Sequence, residues 1–253
     1  MKYKHIFIIS VAILTITACT GRRPDKPKNT VMPISSEKNA PGDKSLYGLA
    51  CEGCTDSVIV FLPNSGGDPV TYDIIDAMRN HKVFGRPKIG DAVALVMSTE
   101  EKNTCNMVID INELEGNWCY KVMPTLRPMA GMSPKMAKRM AQNMPDSMRQ
   151  TFMVPREYGV TISPEYVAHS IGIKHRNNED EMSPVIYPKA KRYSGWRLYN
   201  GKLLLTSGGM KLPGSKVKTK EACDTVELLL MMRDSLVLKF KDRVQGYYRK
   251  AKQ

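Results

Sequence analysis

SGWRLYNGKLLLT, residues 194–206, is the stretch that decides the fold class. Trp196 to Tyr199 and Lys202 to Thr206 flank Asn200-Gly201, and an Asn-Gly dipeptide supplies the two left-handed residues of a type I′ turn, so the stretch predicts a β-hairpin. Downstream, Thr225 to Met231 and Leu236 to Phe240 form a second pair around Met232-Arg233-Asp234-Ser235. Leu236, Leu238 and Phe240 share a face opposite Val237 and Lys239, the two-residue period of a strand. Gln245 to Lys250 reads as a last strand. Upstream, Tyr47 to Ala50 and Val58 to Leu62 flank a Cys51-Glu52-Gly53-Cys54 turn, and a Gly-rich loop spans Asn64 to Pro69. Asp91 to Met97 places Val93, Leu95 and Met97 on one face, and Met107 to Ile111 follows. Between them, the apolar positions of Tyr72 to Val83 fit a helix and a strand pair equally well. The body is mainly β.

The chain has 253 residues, 42% hydrophobic and 25% charged, enough to bury a core and too apolar for disorder. Its formal charge of +13 favours an acidic partner surface and says nothing about fold.

Lys2 and Lys4 precede an apolar or small run from Ile6 to Ala18, too short for a bilayer span of roughly 20 residues. Residues 1–18 are therefore expected to be a signal peptide. Its end, Ile16-Thr17-Ala18-Cys19, resembles a bacterial lipobox, which implies lipidation of Cys19 by fatty acyl chains and attachment to a membrane without spanning it. Residues 19–45, with Pro24, Pro27, Pro33 and Pro41 and no hydrophobic period, form a tether. Arg22, Arg23, Lys26 and Lys28 stand beside the anchor, either merely solvated or contributing about 1 kcal/mol each at an anionic surface. Resemblance to Bacteroides-type lipoproteins, whose surface-exported members tend to carry acids just after the cysteine, implies for this basic arm the periplasmic face of a bacterial outer membrane.

ELEGNWCY at 113–120 resembles the opening strand of lipocalin-like proteins, in which Gly-x-Trp lays an indole across the closed end of a barrel. Residues 194–206, DTVELLLMMRDSLVLKF at 224–240 and GYYRK at 246–250 are similar to later strands of the lipocalin-like lipoproteins of Bacteroides-type bacteria. The resemblance covers residues 110–250 and implies a lipocalin-like antiparallel β-barrel or half-barrel over residues 111–253. It further implies a small apolar or amphipathic ligand, with Trp118, Tyr120, Trp196 and Tyr199 as lining residues. Residues 46–110 are then a small β domain or strands extending the same sheet, and VFGRPKIGDAVALVM at 83–97 resembles part of a small Greek-key barrel.

Residues 133–153 read as a helical insertion, with Ser133 as N-cap, Pro134 at the first position and Lys135, Lys138 and Arg139 on the polar side. Met132, Met136, Met140, Met144 and Met148 recur every four residues, and Pro145 is expected to split the helix in two. Four readings of that stripe stay open: packing, a lid over a cavity, an interfacial helix, or thioether ligation of a soft metal.

Beside Cys19 the chain holds Cys51, Cys54, Cys105, Cys119 and Cys223, an odd number, with a Cys51–Cys54 disulfide and free thiols both open. A zinc site would need a second close-spaced pair, and none exists. His81, His169 and His175 fit no metal or catalytic pattern, and Glu179-Asp180-Glu181 reads as a solvated loop. Ser65 sits in no nucleophile elbow, and no P-loop or dinucleotide fingerprint occurs. No enzyme, cofactor, resident metal or nucleic-acid partner is therefore expected. The leading expectation is a membrane-anchored ligand-binding module, and the alternative a structural or protein-interaction lipoprotein of the envelope with a filled core.

Overall fold

The computed structural model describes residues 40–173, 183–208 and 221–251. The signal peptide, Cys19, the basic arm, His175 and the acidic run at 179–181 lie outside the described residues.

The first half builds a sheet of its own from β1 (Leu46–Ala50), β2 (Val58–Pro63), β3 (Val70–Asp73), β4 (Val83–Phe84), β5 (Ala92–Met97) and β6 (Cys105–Asp110), in the order β3-β2-β1-β5-β6-β4. Helix α1 (Ile75–Arg79) lies between β3 and β4, so the stretch with two admissible periods holds one helix between the end of one strand and the start of the next. One face of the sheet buries Ile59, Phe61, Val93, Leu95 and Val108 together with Ala77 of α1. The other face buries Phe84, Ala94 and Ile109 in the same cluster as the second half's core.

Helix α2 (Ile111–Leu114), capped by the Asp110 carboxylate on the Glu113 amide at 2.9 Å, leads into β7 (Gly116–Val122). Then come β8 (Thr125–Leu126), helices α3 (Pro134–Gln142) and α4 (Asp146–Phe152), β9 (Arg156–Ser163), β10 (Val167–Ile171) and β11 (Val185–Ile186). The remaining strands are β12 (Tyr193–Tyr199), β13 (Lys202–Ser207), β14 (Ala222–Met232), β15 (Ser235–Lys239) and β16 (Val244–Lys250). β8 and β11 pair only with each other, beside the barrel. The other eight, β7, β9, β10 and β12 to β16, form a closed barrel in which each strand pairs antiparallel with the next and β16 returns to β7. Of the barrel and the half-barrel, the closed form is the one observed. β9 and β10 supply the wall across residues 119–195, and Tyr158, Val160 and Ile162 of β9 face the core at every second position.

The Asn200-Gly201 turn has φ of 47° and 75°, as a type I′ turn requires. It also docks the sheet. A Cβ on Gly201 would meet Met107 Sδ at 2.5 Å and Val96 Cγ2 at 3.1 Å, and its φ of 75° favours glycine where the turn packs under β5. The Asn200 amide donates to Asp43 Oδ1 at 2.9 Å, and the Tyr47 hydroxyl donates to Asp43 Oδ2 at 2.7 Å and to the Leu198 carbonyl at 3.2 Å. At another point of the same rim, the Gly85 amide donates to the Met231 carbonyl at 3.3 Å. The amino-terminal sheet is thus laid across one end of the barrel and continues its core.

Candidate functional site

The barrel has two unlike ends. Strand direction puts the turns 164–166, 200–201 and 233–234 at one end with residue Gly116, and the ends of β7, β10, β13 and β15 at the other. The first end is sealed. Trp118 is wholly buried, its indole N–H donates to the Leu114 carbonyl at 2.7 Å, and the Arg249 guanidinium stacks 4.2 Å above its ring. Arg249 donates to the Glu115 carbonyl at 2.8 Å and also to the carbonyls of Glu113 and Arg233, so one side chain ties α2, β7 and the β14–β15 turn together. Gly116 makes this arrangement fit: its φ is +152°, and a Cβ there would run into the Arg249 guanidinium. Around this pair Ile162, Leu198, Leu203, Leu205, Val226, Leu228, Leu236 and Leu238 fill the interior, and each such aliphatic side chain contributes about 1.5–3 kcal/mol by leaving water.

The second end is aromatic and only partly covered. Tyr120 meets Tyr158 at 6.3 Å and Tyr247 at 5.2 Å, both edge to face. Across the ring of strands the Tyr193 hydroxyl donates to Asp224 Oδ2 at 3.1 Å, and Lys191 Nζ donates to both Asp224 oxygens at 2.6 and 2.7 Å. Burial first, and then Asp224, holds the Tyr193 phenol above its ordinary pKa; burial does the same for Tyr247 and Tyr120, against the opposing pull of Arg243. The collar therefore offers neutral hydroxyls and ring faces at any physiological pH. β7 and β16 pair only between Asn117–Cys119 and Tyr248–Lys250. Past that, towards this end, a hollow of about 680 Å³ lies between them, lined by Tyr120, Lys121, Glu157, Gln245, Gly246 and Tyr248.

The insertion leaves the barrel at this end, between Val122 and Arg156. Ser133 Oγ accepts the Met136 amide at 3.2 Å as N-cap of α3, and Pro145 stands at the start of α4, so the helix breaks there. Tyr187, next to β11, is held by the Arg156 guanidinium 3.8 Å above its ring and donates to the Val154 carbonyl at 2.6 Å, tying the β10–β12 connection to the insertion. Between α3, α4 and the β8–β11 ribbon lies a cleft of about 590 Å³ lined by Met129, Met132, Met136, Met140, Met144 and Met148, with Leu126, Arg127, Arg139 and Asn143 also at its wall.

The four aromatic residues singled out from the sequence fall in three places. Trp118 is the floor of the sealed end, and Trp196 is buried beside it, its indole N–H donating to the Ser163 carbonyl at 2.8 Å and its ring 5.6 Å from that of Tyr166. Tyr120 is in the collar. Tyr199 ends β12 at the sealed rim, its hydroxyl donating to the Pro41 carbonyl at 3.5 Å. Tyr158, Tyr193 and Tyr247 complete the collar and escaped the sequence reading. A two-residue period through Tyr158, Val160 and Ile162 would have found the first. Tyr193 is turned to the core by an irregularity in β12 between Tyr193 and Gly195, which no period reveals.

Cys51, Cys54, Cys105, Cys119 and Cys223 are free thiols. Among the described residues no three His, Cys, Asp or Glu side chains converge as metal ligands do, and no helix is long and apolar enough to cross a membrane.

No family model matches the sequence, and no curated protein matches it. Among solved structures, a lipocalin-like protein from Bacteroides thetaiotaomicron is similar to this chain at 18% identity and a TM-score of 0.28, over 54% of this chain and 95% of its own. The barrel assignment rests on the closed ring of strand pairs itself.

Proposed function

We propose that the chain is a membrane-anchored lipoprotein of the bacterial envelope, without enzymatic activity, whose barrel holds a small apolar or amphipathic ligand in its open half. The observation that carries this reading is the asymmetry of the barrel: one end is closed by Trp118, Arg249 and a whole sheet, while the other presents half-covered tyrosines, with a surface hollow beside them between β7 and β16. Small-ligand sites are concave and apolar with a few placed polar groups, and the collar has that composition. Anchoring rests on the sequence alone: Ile16-Thr17-Ala18-Cys19 follows a charged start and a short apolar run. Acyl chains on Cys19 would hold the body beside a bilayer, and the basic arm favours the periplasmic face of the outer membrane.

The test is an environment-sensitive naphthylamine probe added to the full chain. Saturable energy transfer from Trp118 and Trp196 to the probe, reduced by Tyr120→Ala, is expected. Absence of saturable transfer with any lipid-like probe overturns the ligand reading, and an unmodified Cys19 in the mass of native material overturns the anchor. The second reading is an interaction lipoprotein without ligand, which the solid filling of the sealed half favours; salt-sensitive capture of one envelope protein is its signature.

A further inference from the structure

The methionine cleft has a composition unlike the barrel interior. Aliphatic Leu, Val and Ile fill the sealed half, whereas six methionines line the cleft, and Met129, Met136, Met140 and Met148 of these are exposed. Exposed apolar side chains gathered around one concavity mark a binding surface, and the unbranched thioether adapts its shape to flexible apolar guests. The cleft's volume of about 590 Å³ falls in the range of small-molecule sites. Among the described residues, Arg127 and Arg139 stand at the wall with Asn143, and none of the described lining residues is a carboxylate. Arg127 is held in place by the bond from its Nε to the Ser183 carbonyl at 2.8 Å. Lys135 and Lys138 of α3 add to the same potential.

From these features we infer that the cleft is a binding site for a single-chain anionic amphiphile, with the acyl chain among the methionines and the head group at the exposed Arg139. Carboxylate and phosphate heads satisfy a guanidinium equally well in charge, since both accept paired N–H bonds. The site lies on the insertion, outside the ring of barrel strands, and so goes beyond the reading of the barrel as a container. Met136 and Met140 stand four residues apart, neighbours on one helix face, and Met148 approaches from α4. Two short helices split at Pro145 can adjust to chains of different length more readily than one rigid helix would.

Photolabelling of the full chain with a diazirine-bearing dodecanoic acid tests this, with labelled peptides mapped by mass spectrometry. Saturable labelling within residues 129–148 is expected. Laurate and dodecyl phosphate should compete for it, and dodecanol much less. Lengthening the competitor should lower its half-effective concentration roughly fourfold per methylene until the cleft is full. Met136→Glu with Met140→Glu, both at exposed positions and so harmless to folding, should abolish that labelling. Arg139→Gln should weaken competition by the anions roughly fivefold and leave dodecanol unchanged. Equal competition by dodecanol overturns the anionic head, and a difference between laurate and the phosphate assigns the head. Labelling confined to Tyr120, Tyr193 or Tyr247 overturns the cleft and leaves the barrel reading standing. Labelling that monoacyl anions never displace overturns it in favour of bulk lipid contact, and no saturable labelling anywhere overturns both.

Discussion

The two ends of the barrel solve opposite problems with the same eight strands. At the sealed end the chain spends its largest apolar side chains on each other, closes the gap with an arginine over an indole, and lays a second sheet across the rim. At the open end the inward positions include Tyr120, Tyr158, Tyr193 and Tyr247, of which Tyr193 meets the Lys191–Asp224 ion pair, and the β7–β9 connection carries the methionine helices. Buried aliphatic packing is concentrated at the sealed end, and half-covered aromatic and methionine surface at the other. Substitutions should therefore cost much at the first end and little at the second.

The largest effect is expected from Trp118→Ala. It removes a fully buried indole, its hydrogen bond to Leu114 and the platform under Arg249, and large-to-small changes of this kind cost about 3–5 kcal/mol. Urea unfolding should show a drop of that order. A loss below about 1 kcal/mol would mean that the floor is not where the barrel's stability resides.

Arg249→Gln comes next. The guanidinium serves three carbonyls and a ring face at once, and glutamine cannot reach them together, so about 2 kcal/mol should be lost through unsatisfied carbonyls and the missing cation–π contact. In a double-mutant cycle with Trp118→Phe the two losses should not add, because both residues act in one contact.

Asp110 sharpens the comparison through pH. It is the buried joint between the sheet and α2, and burial, with the carboxylates of Asp91 and Glu113 nearby, pushes its pKa up to about 6 against the pull of the Glu113 amide. The folded protein therefore binds a proton that the unfolded chain gives up near pH 4. The associated stability is fully present below about pH 4 and is lost as the pH rises through about 6, some 1–2 kcal/mol after discounting for partial solvation. Asp110→Asn keeps an N-cap acceptor and carries no charge, so it should stabilise the protein above pH 6 and flatten this part of the profile. Thermal melts of both proteins between pH 4 and pH 7 decide it, and parallel curves would refute the assignment.

Legibility in the sequence followed the range of the signal. The Asn200-Gly201 hairpin, the Ser133 cap and the Pro145 break are each encoded within a few residues, and each appears where local chemistry puts it. The class, mainly β with a barrel or half-barrel, followed from such pieces together with the resemblance carried by Gly116-Asn117-Trp118, whereas the eight strands and their closure came only with the fold. What was not legible is long-range. Arg249 closes the sealed end from the polar run Tyr247-Tyr248-Arg249-Lys250, and only the fold shows that this strand returns to β7. The parity of Tyr193 is reversed by the irregularity in β12, and that of Met231 by another between Leu228 and Leu230, so a strict two-residue count misplaces both. Tyr199 shares β12 with Tyr193 yet lies at the opposite rim from the collar, because one strand spans the barrel from end to end.

The smallest effect is expected at the collar. Tyr193→Phe deletes one hydroxyl that donates to Asp224, but Asp224 keeps both bonds from Lys191, so no buried acceptor is left bare. The penalty should then be the net worth of one hydrogen bond near solvent, below about 1 kcal/mol. If the collar serves binding, the same substitution should change naphthylamine affinity while the urea midpoint barely moves. A large loss of stability with unchanged affinity would instead make Tyr193 part of the barrel's closure, and the two ends would differ in degree and not in kind.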